Sequence, residues 1–87
     1  MKHIPPVTLY GTLACHLCEA AMHVLQPLIA DGLCVSEVDI SASDELMQRY
    51  QMRIPMLQRP DTGGELDFPF DLAQVMDWLG DDLREEG

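Results

Sequence analysis

Two of the three cysteines in this 87-residue chain stand as Cys15-His16-Leu17-Cys18, while Cys34 stands alone. A three-residue offset puts two side chains one turn apart on a helix, where their sulfurs can close a disulfide. The odd count argues against a secreted disulfide scaffold. So does the opening Met1-Lys2-His3-Ile4-Pro5-Pro6, which has no apolar run behind its positive charge to form a signal peptide. The pair therefore reads as a redox dithiol or as part of a metal site. A structural zinc needs four ligands, and the remaining Cys34, His3, His16 and His23 follow no recognised ligand spacing. An iron–sulfur cluster shared between two chains needs fewer ligands from each and stays open.

The elements that must position these sulfurs are legible in the apolar pattern. Val7-Thr8-Leu9-Tyr10 is a β-prone run ended by Gly11, and Thr12-Leu13-Ala14 form a loop into Cys15. From His16 to Ala30 the period is helical. Ala21, Leu25, Leu28 and Ile29 lie along one side, and His16, Glu19, His23 and Gln26 along the other. Pro27 is expected to kink this helix without ending it, and Asp31-Gly32 to stop it. Leu33 to Ile40 predicts a second strand with Cys34 on it, read as a small buried hydrophobe. Ser41 or Ser43 then offers an N-cap to a short helix ending near Tyr50. Pro55 to Gln58 reads as a third strand, Pro60-Asp61-Thr62-Gly63-Gly64 as a turn, and Glu65 to Phe68 as a fourth strand. Asp71-x-x-Gln74 has the form of a capping box, opening a helix that buries Leu72, Val75, Met76 and Leu79. The six methionines read as core filling, Trp78 as a packed residue with one wet edge, and the acidic tail from Gly80 as a fraying end. The order βαβαββα predicts an α/β domain over residues 1–87, a four-stranded mixed sheet flanked by three helices.

In that frame Cys15 falls where a strand and loop turn into a helix. The first helical N–H groups lack intrahelical partners, and the dipole places roughly +0.5 charge there, which favours a thiolate. Cys18 shares the apolar stripe and points inward, so Cys15 is the attacking sulfur and Cys18 the resolving one. The gain in attack is modest. Lowering a thiol pKa from about 8.5 to about 7 raises its thiolate fraction some 15-fold at pH 7. The lost nucleophilicity returns about fivefold of that. The larger benefit is that Cys15 becomes a good leaving group.

Composition limits the partners. With 47% hydrophobic and 23% charged residues the chain can build a core. Five Lys+Arg against 15 Asp+Glu give a net charge of −10, which excludes nucleic acid as a natural partner. No apolar run approaches the roughly 20 residues that span a bilayer, so no membrane association is expected. A cytoplasmic monomer is the expectation.

These residues resemble the glutaredoxin-like proteins of the thioredoxin-fold superfamily over nearly the whole chain. The resemblance is carried by Leu9-Tyr10-Gly11, Cys15-His16-Leu17-Cys18-Glu19, Val38-Asp39-Ile40 and Arg53-Ile54-Pro55. It implies a thioredoxin-like fold, with a cis Ile54–Pro55 bond facing the cysteine pair. Ile54 and Pro55 would hold an extended peptide or glutathione, with Arg53 approaching a carboxylate and Thr12 standing where the family often has lysine. His16 and Leu17 replace the usual intervening Pro-Tyr; His16 could relay a proton or simply be a solvated side chain. Pro69-Phe70 stand where the family's Gly pair shapes a glutathione pocket, and Asp71 either follows that pattern or serves only as a helix cap. The resemblance implies a thiol–disulfide oxidoreductase with no bound cofactor. Disulfide-containing proteins or glutathione would be its partners, glutathione acting as co-substrate. The alternative is a thioredoxin-fold binding module, either an iron–sulfur carrier or a non-catalytic scaffold.

Overall fold

The computed structural model describes residues 4–12 and 15–80. His3, the loop residues Leu13 and Ala14, and the acidic tail lie outside the described residues. Eight elements follow in order: β1 (Val7–Gly11), α1 (His16–Ala30), β2 (Val35–Asp39), a 3₁₀ turn (Ile40–Ala42), α2 (Asp44–Tyr50), β3 (Met56–Gln58), β4 (Glu65–Asp67) and α3 (Leu72–Leu79). The sheet runs β2-β1-β3-β4. β1 and β2 are parallel, with Val7 opposite Val35 and Gly11 opposite Asp39. β3 is antiparallel to β1, with Tyr10 opposite Met56, and β4 returns antiparallel to β3. This is the expected thioredoxin-like α/β architecture.

Strand alternation divides the core between two faces. Val7 and Leu9 of β1 and Leu57 of β3 meet Ala21, Leu25 and Leu28 of α1 and Val75 and Leu79 of α3. On the other face Met56 packs with Ile40 and Tyr50, with Tyr10, Leu46, Met47 and Ile54 around them. The Tyr10 and Tyr50 rings stack 4.7 Å apart, and the Tyr10 hydroxyl donates to Gln58 Oε1 at 3.0 Å. Burial raises the Tyr10 pKa, with Tyr50 adding to the effect.

The helix ends follow the local sequence. α1 runs continuously through Pro27 and closes in a Schellman motif. The Leu33 amide donates to the Leu28 carbonyl at 2.9 Å and the Gly32 amide to Ile29 at 3.0 Å, while Gly32 takes φ 112°. Of the two candidate caps, Ser43 opens α2 by accepting from the Leu46 amide at 3.3 Å; Asp39 caps the 3₁₀ turn before it. Asp71 and Gln74 form the full capping box of α3, at 2.8 and 2.9 Å.

Three expectations need correction. Cys34 is exposed and precedes β2, since β2 is a sheet edge on which only half-buried positions face the core. Met76 is 44% exposed, because positions 72, 75 and 79 already define the buried stripe of α3 and position 76 falls at its border. Met52 is 91% exposed in the turn after α2, so the methionines do not all fill core; Met56 does. Trp78 is partly buried against the α1/α3 core, as expected.

Candidate functional site

β1 delivers the chain to the C-terminal edge of the two parallel strands, where clefts of open α/β sheets form. Cys15 caps α1 in extended conformation (φ −106°, ψ 107°), and its Sγ accepts a hydrogen bond from the Cys18 amide at 3.1 Å. A sulfur thus occupies the place where a serine or aspartate oxygen ordinarily caps a helix. Cys15 and Cys18 form a disulfide, with Cα atoms 5.2 Å apart. Both are half-buried, so exposure alone does not separate their roles.

Gly11 completes the seat of the pair. A Cβ at this buried position would stand 2.5 Å from Cys18 Sγ, closer than any real contact allows. In the sequence Gly11 stands as a strand end and as part of Leu9-Tyr10-Gly11, with nothing to show which atom excludes its side chain. The signal available was a residue without a side chain closing the strand before a C-x-x-C.

A cleft of about 280 Å³ opens beside the disulfide. Thr12, Gly11, Cys15 and Cys18 line one part of it, and three acidic residues, Glu19, Glu37 and Asp39, belong to the same lining. Asp39 is held below its usual carboxylate range, first by the Ser41 hydroxyl at 2.6 Å and then by the Ser41 amide at 2.9 Å. The lining of the sulfur cleft is therefore acidic, a feature that composition hinted at but could not place.

Of the predicted site residues, Thr12 joins the cysteines in this cleft, whereas Arg53, Ile54 and Pro55 do not line it. The Ile54–Pro55 bond is cis, and a second cis bond, Phe68–Pro69, follows β4. Continuing the β1/β3 register one step places Pro55 level with Gly11 at the same sheet edge. Pro55 is buried, and its carbonyl accepts from the Phe68 amide at 3.2 Å. Arg53 already has carboxylate partners on β4: its Nη2 lies 2.8 Å from Glu65 and 2.9 Å from Asp67, and its guanidinium sits 5.9 Å from the Tyr50 ring centre. The Glu65 and Asp67 hydrogen bonds raise its pKa further. Arg59 is buried, with Nη2 2.7 Å from Asp61 and Nη1 donating to the Leu79 carbonyl. Arg49 lies 5.7 Å from the Tyr50 ring centre. The basic groups of the central segment are thus engaged in structure. Phe70 is core and Asp71 is committed to its cap. On α1, His16 is almost fully exposed with Nδ1 3.9 Å from Glu19, and Leu17 is 56% exposed.

The family model of the glutaredoxin-like domain (DUF836) matches residues 6–80, the span that contains every element above. This chain belongs to the glutaredoxin-like family. The X-ray structure of the structural-genomics target protein XcR50 from X. campestris is 37% identical to it, with TM-score 0.74 over 84% of this chain and 93% of that one. The solution structure of XcR50 gives TM-score 0.71 at the same identity, covering 84% and 90%. None of the curated proteins compared with the chain matches it. A glutaredoxin-like domain with its two cysteines held together at a helix start has the parts for redox chemistry. Among the described residues no helix is long and apolar enough to cross a membrane, and no group of three or more His, Cys, Asp or Glu is placed to hold a metal ion.

Proposed function

We propose that this glutaredoxin-like protein is a thiol–disulfide oxidoreductase in which Cys15 attacks and Cys18 resolves. The observation that carries the reading is the Cys15–Cys18 disulfide at the mouth of α1, with Cys15 Sγ receiving the Cys18 amide. In the reduced protein the Cys15 thiolate attacks one sulfur of a substrate disulfide. That bond breaks, a mixed disulfide forms on Cys15, and the first thiolate leaves and takes up a proton. Cys18, as thiolate, then attacks the Cys15 sulfur, closes the intramolecular disulfide and expels the second substrate thiolate. The protein loses two electrons and the substrate gains them. The helix start favours negative charge on Cys15, and Gly11 gives the Cys18 sulfur room to close.

The substrate in this reading is a disulfide-bearing polypeptide, with Ile54 beside Pro55 offering its backbone to it, Thr12 at its flank, and glutathione as the reducing co-substrate. A dithiol that must be returned to its reduced form suits the cytoplasm. The test is titration of the protein in glutathione redox buffers, with alkylation counting free thiols at each poise. A single two-electron transition that protects Cys15 and Cys18 together is expected. Cysteines that never oxidise reversibly at any poise would remove this reading and leave a binding module.

A further inference from the structure

We infer that the cleft selects disulfides carrying positive charge, namely those flanked by Lys or Arg side chains or by ammonium groups, over anionic ones. The inference rests on the oxidoreductase reading and names the substrate class of that site. The ligand position is set by the sulfurs themselves: any disulfide that reacts must bring its sulfur to Cys15, and the cleft beside that sulfur measures about 280 Å³. Among the described residues its wall carries Glu19, Glu37 and Asp39 and no Lys, Arg or His. The hydrogen bonds from Ser41 favour the ionised form of Asp39. Arg53, the cation expected to approach a substrate carboxylate, is instead shared between Glu65 and Asp67. An anion in the cleft therefore meets like charge with no compensating cation among the described wall residues, whereas a cation meets complementary charge. Leu17, 56% exposed beside the pair, adds apolar surface that a polypeptide can use and a small aminothiol cannot, which favours the polypeptide source.

The exchange balances as above: reduced protein plus disulfide yields the Cys15–Cys18 disulfide and two thiols. The experiment measures the rate of that exchange with cystamine, with uncharged 2-hydroxyethyl disulfide, with oxidised glutathione, and with short peptide disulfides flanked by Lys or by Glu. A change in Cys15 reactivity scales all of these alike, so the readout is each charged rate divided by that of the uncharged analogue. Cationic disulfides are expected to exceed their anionic counterparts by about tenfold or more at ~10 mM salt, and this ratio should collapse toward unity near ~1 M. Glu19→Gln with Glu37→Gln should narrow the ratio several-fold. Asp31→Asn with Asp77→Asn, which removes the same charge from exposed positions off the cleft wall, should leave it within about twofold. Preference for the Lys-flanked peptide over cystamine identifies a polypeptide substrate; the reverse identifies a small aminothiol disulfide. Equal rates across charge at low salt, or equal narrowing by the two double variants, would overturn the inference and leave the oxidoreductase intact. Failure to exchange with any of the disulfides overturns both.

Discussion

Gly11 and Cys18 form the tightest constraint on the redox pair. The strand must end without a side chain because the space a methyl would take belongs to Cys18 Sγ. In the reduced protein that sulfur can turn to another rotamer, whereas in the disulfide it cannot. Gly11→Ala should therefore destabilise the oxidised form more than the reduced form, by about 1–3 kcal/mol if the cost is that of ordinary overpacking. Redox titration of the variant should show the ratio of oxidised to reduced protein falling by about fivefold or more relative to wild type at fixed glutathione poise. An unchanged equilibrium would mean that the β1 terminus gives way freely, and that Gly11 does not shape the pair. Cys34, by contrast, is exposed at the start of β2, where its carbonyl accepts from the Val7 amide at the other end of β1. It has no place in the exchange described here.

Between elements, the β3–β4 hairpin is fastened to the end of α3 through Arg59. Its guanidinium grips Asp61 within the turn and reaches the Leu79 carbonyl, so one side chain ties the turn to the last helix. The Arg59 hydrogen bonds hold Asp61 below its ordinary carboxylate value. A depressed folded-state pKa contributes stability that is present above the unfolded value of about 3.9 and is lost as pH falls through the folded value. Urea denaturation across pH should show Asp61→Asn less stable than wild type near neutrality, with the two curves converging in acid. Curves that stay parallel down to about pH 2 would show that this carboxylate is not linked to folding. The capping residues that begin α2 and α3 were readable in the sequence because a cap is a local rule: Ser43 and Asp71 need only the amide three residues on. The Arg59 clamp was not readable, because it joins residues 20 positions apart.

Across the whole molecule, what was legible followed from periodicity and what was not followed from assembly. The element order, the mixed sheet and the buried stripe of α1 come from patterns of period 2.0 and 3.6 that the core must satisfy. The exposure of Cys34 depended on β2 lying at an edge, and that is decided by the whole sheet. The charge of the cleft depended on the end of β2 and the first turn of α1 meeting around the sulfurs. The net charge of −10 announced an acidic surface without saying that Glu37 and Asp39 would face the same space as Cys15. The approach of Arg53 to β4 likewise rests on hairpin pairing that no local motif encodes. The central claim is the order of the two sulfurs, and trapping tests it most directly. Cys18→Ser and Cys15→Ser proteins, each reduced and exposed to excess disulfide, are analysed by mass spectrometry for the adduct and its position. The account predicts a stable adduct on Cys15 when Cys18 is replaced, and little or none on Cys18 when Cys15 is replaced. An adduct that forms on Cys18 as readily as on Cys15 would contradict it.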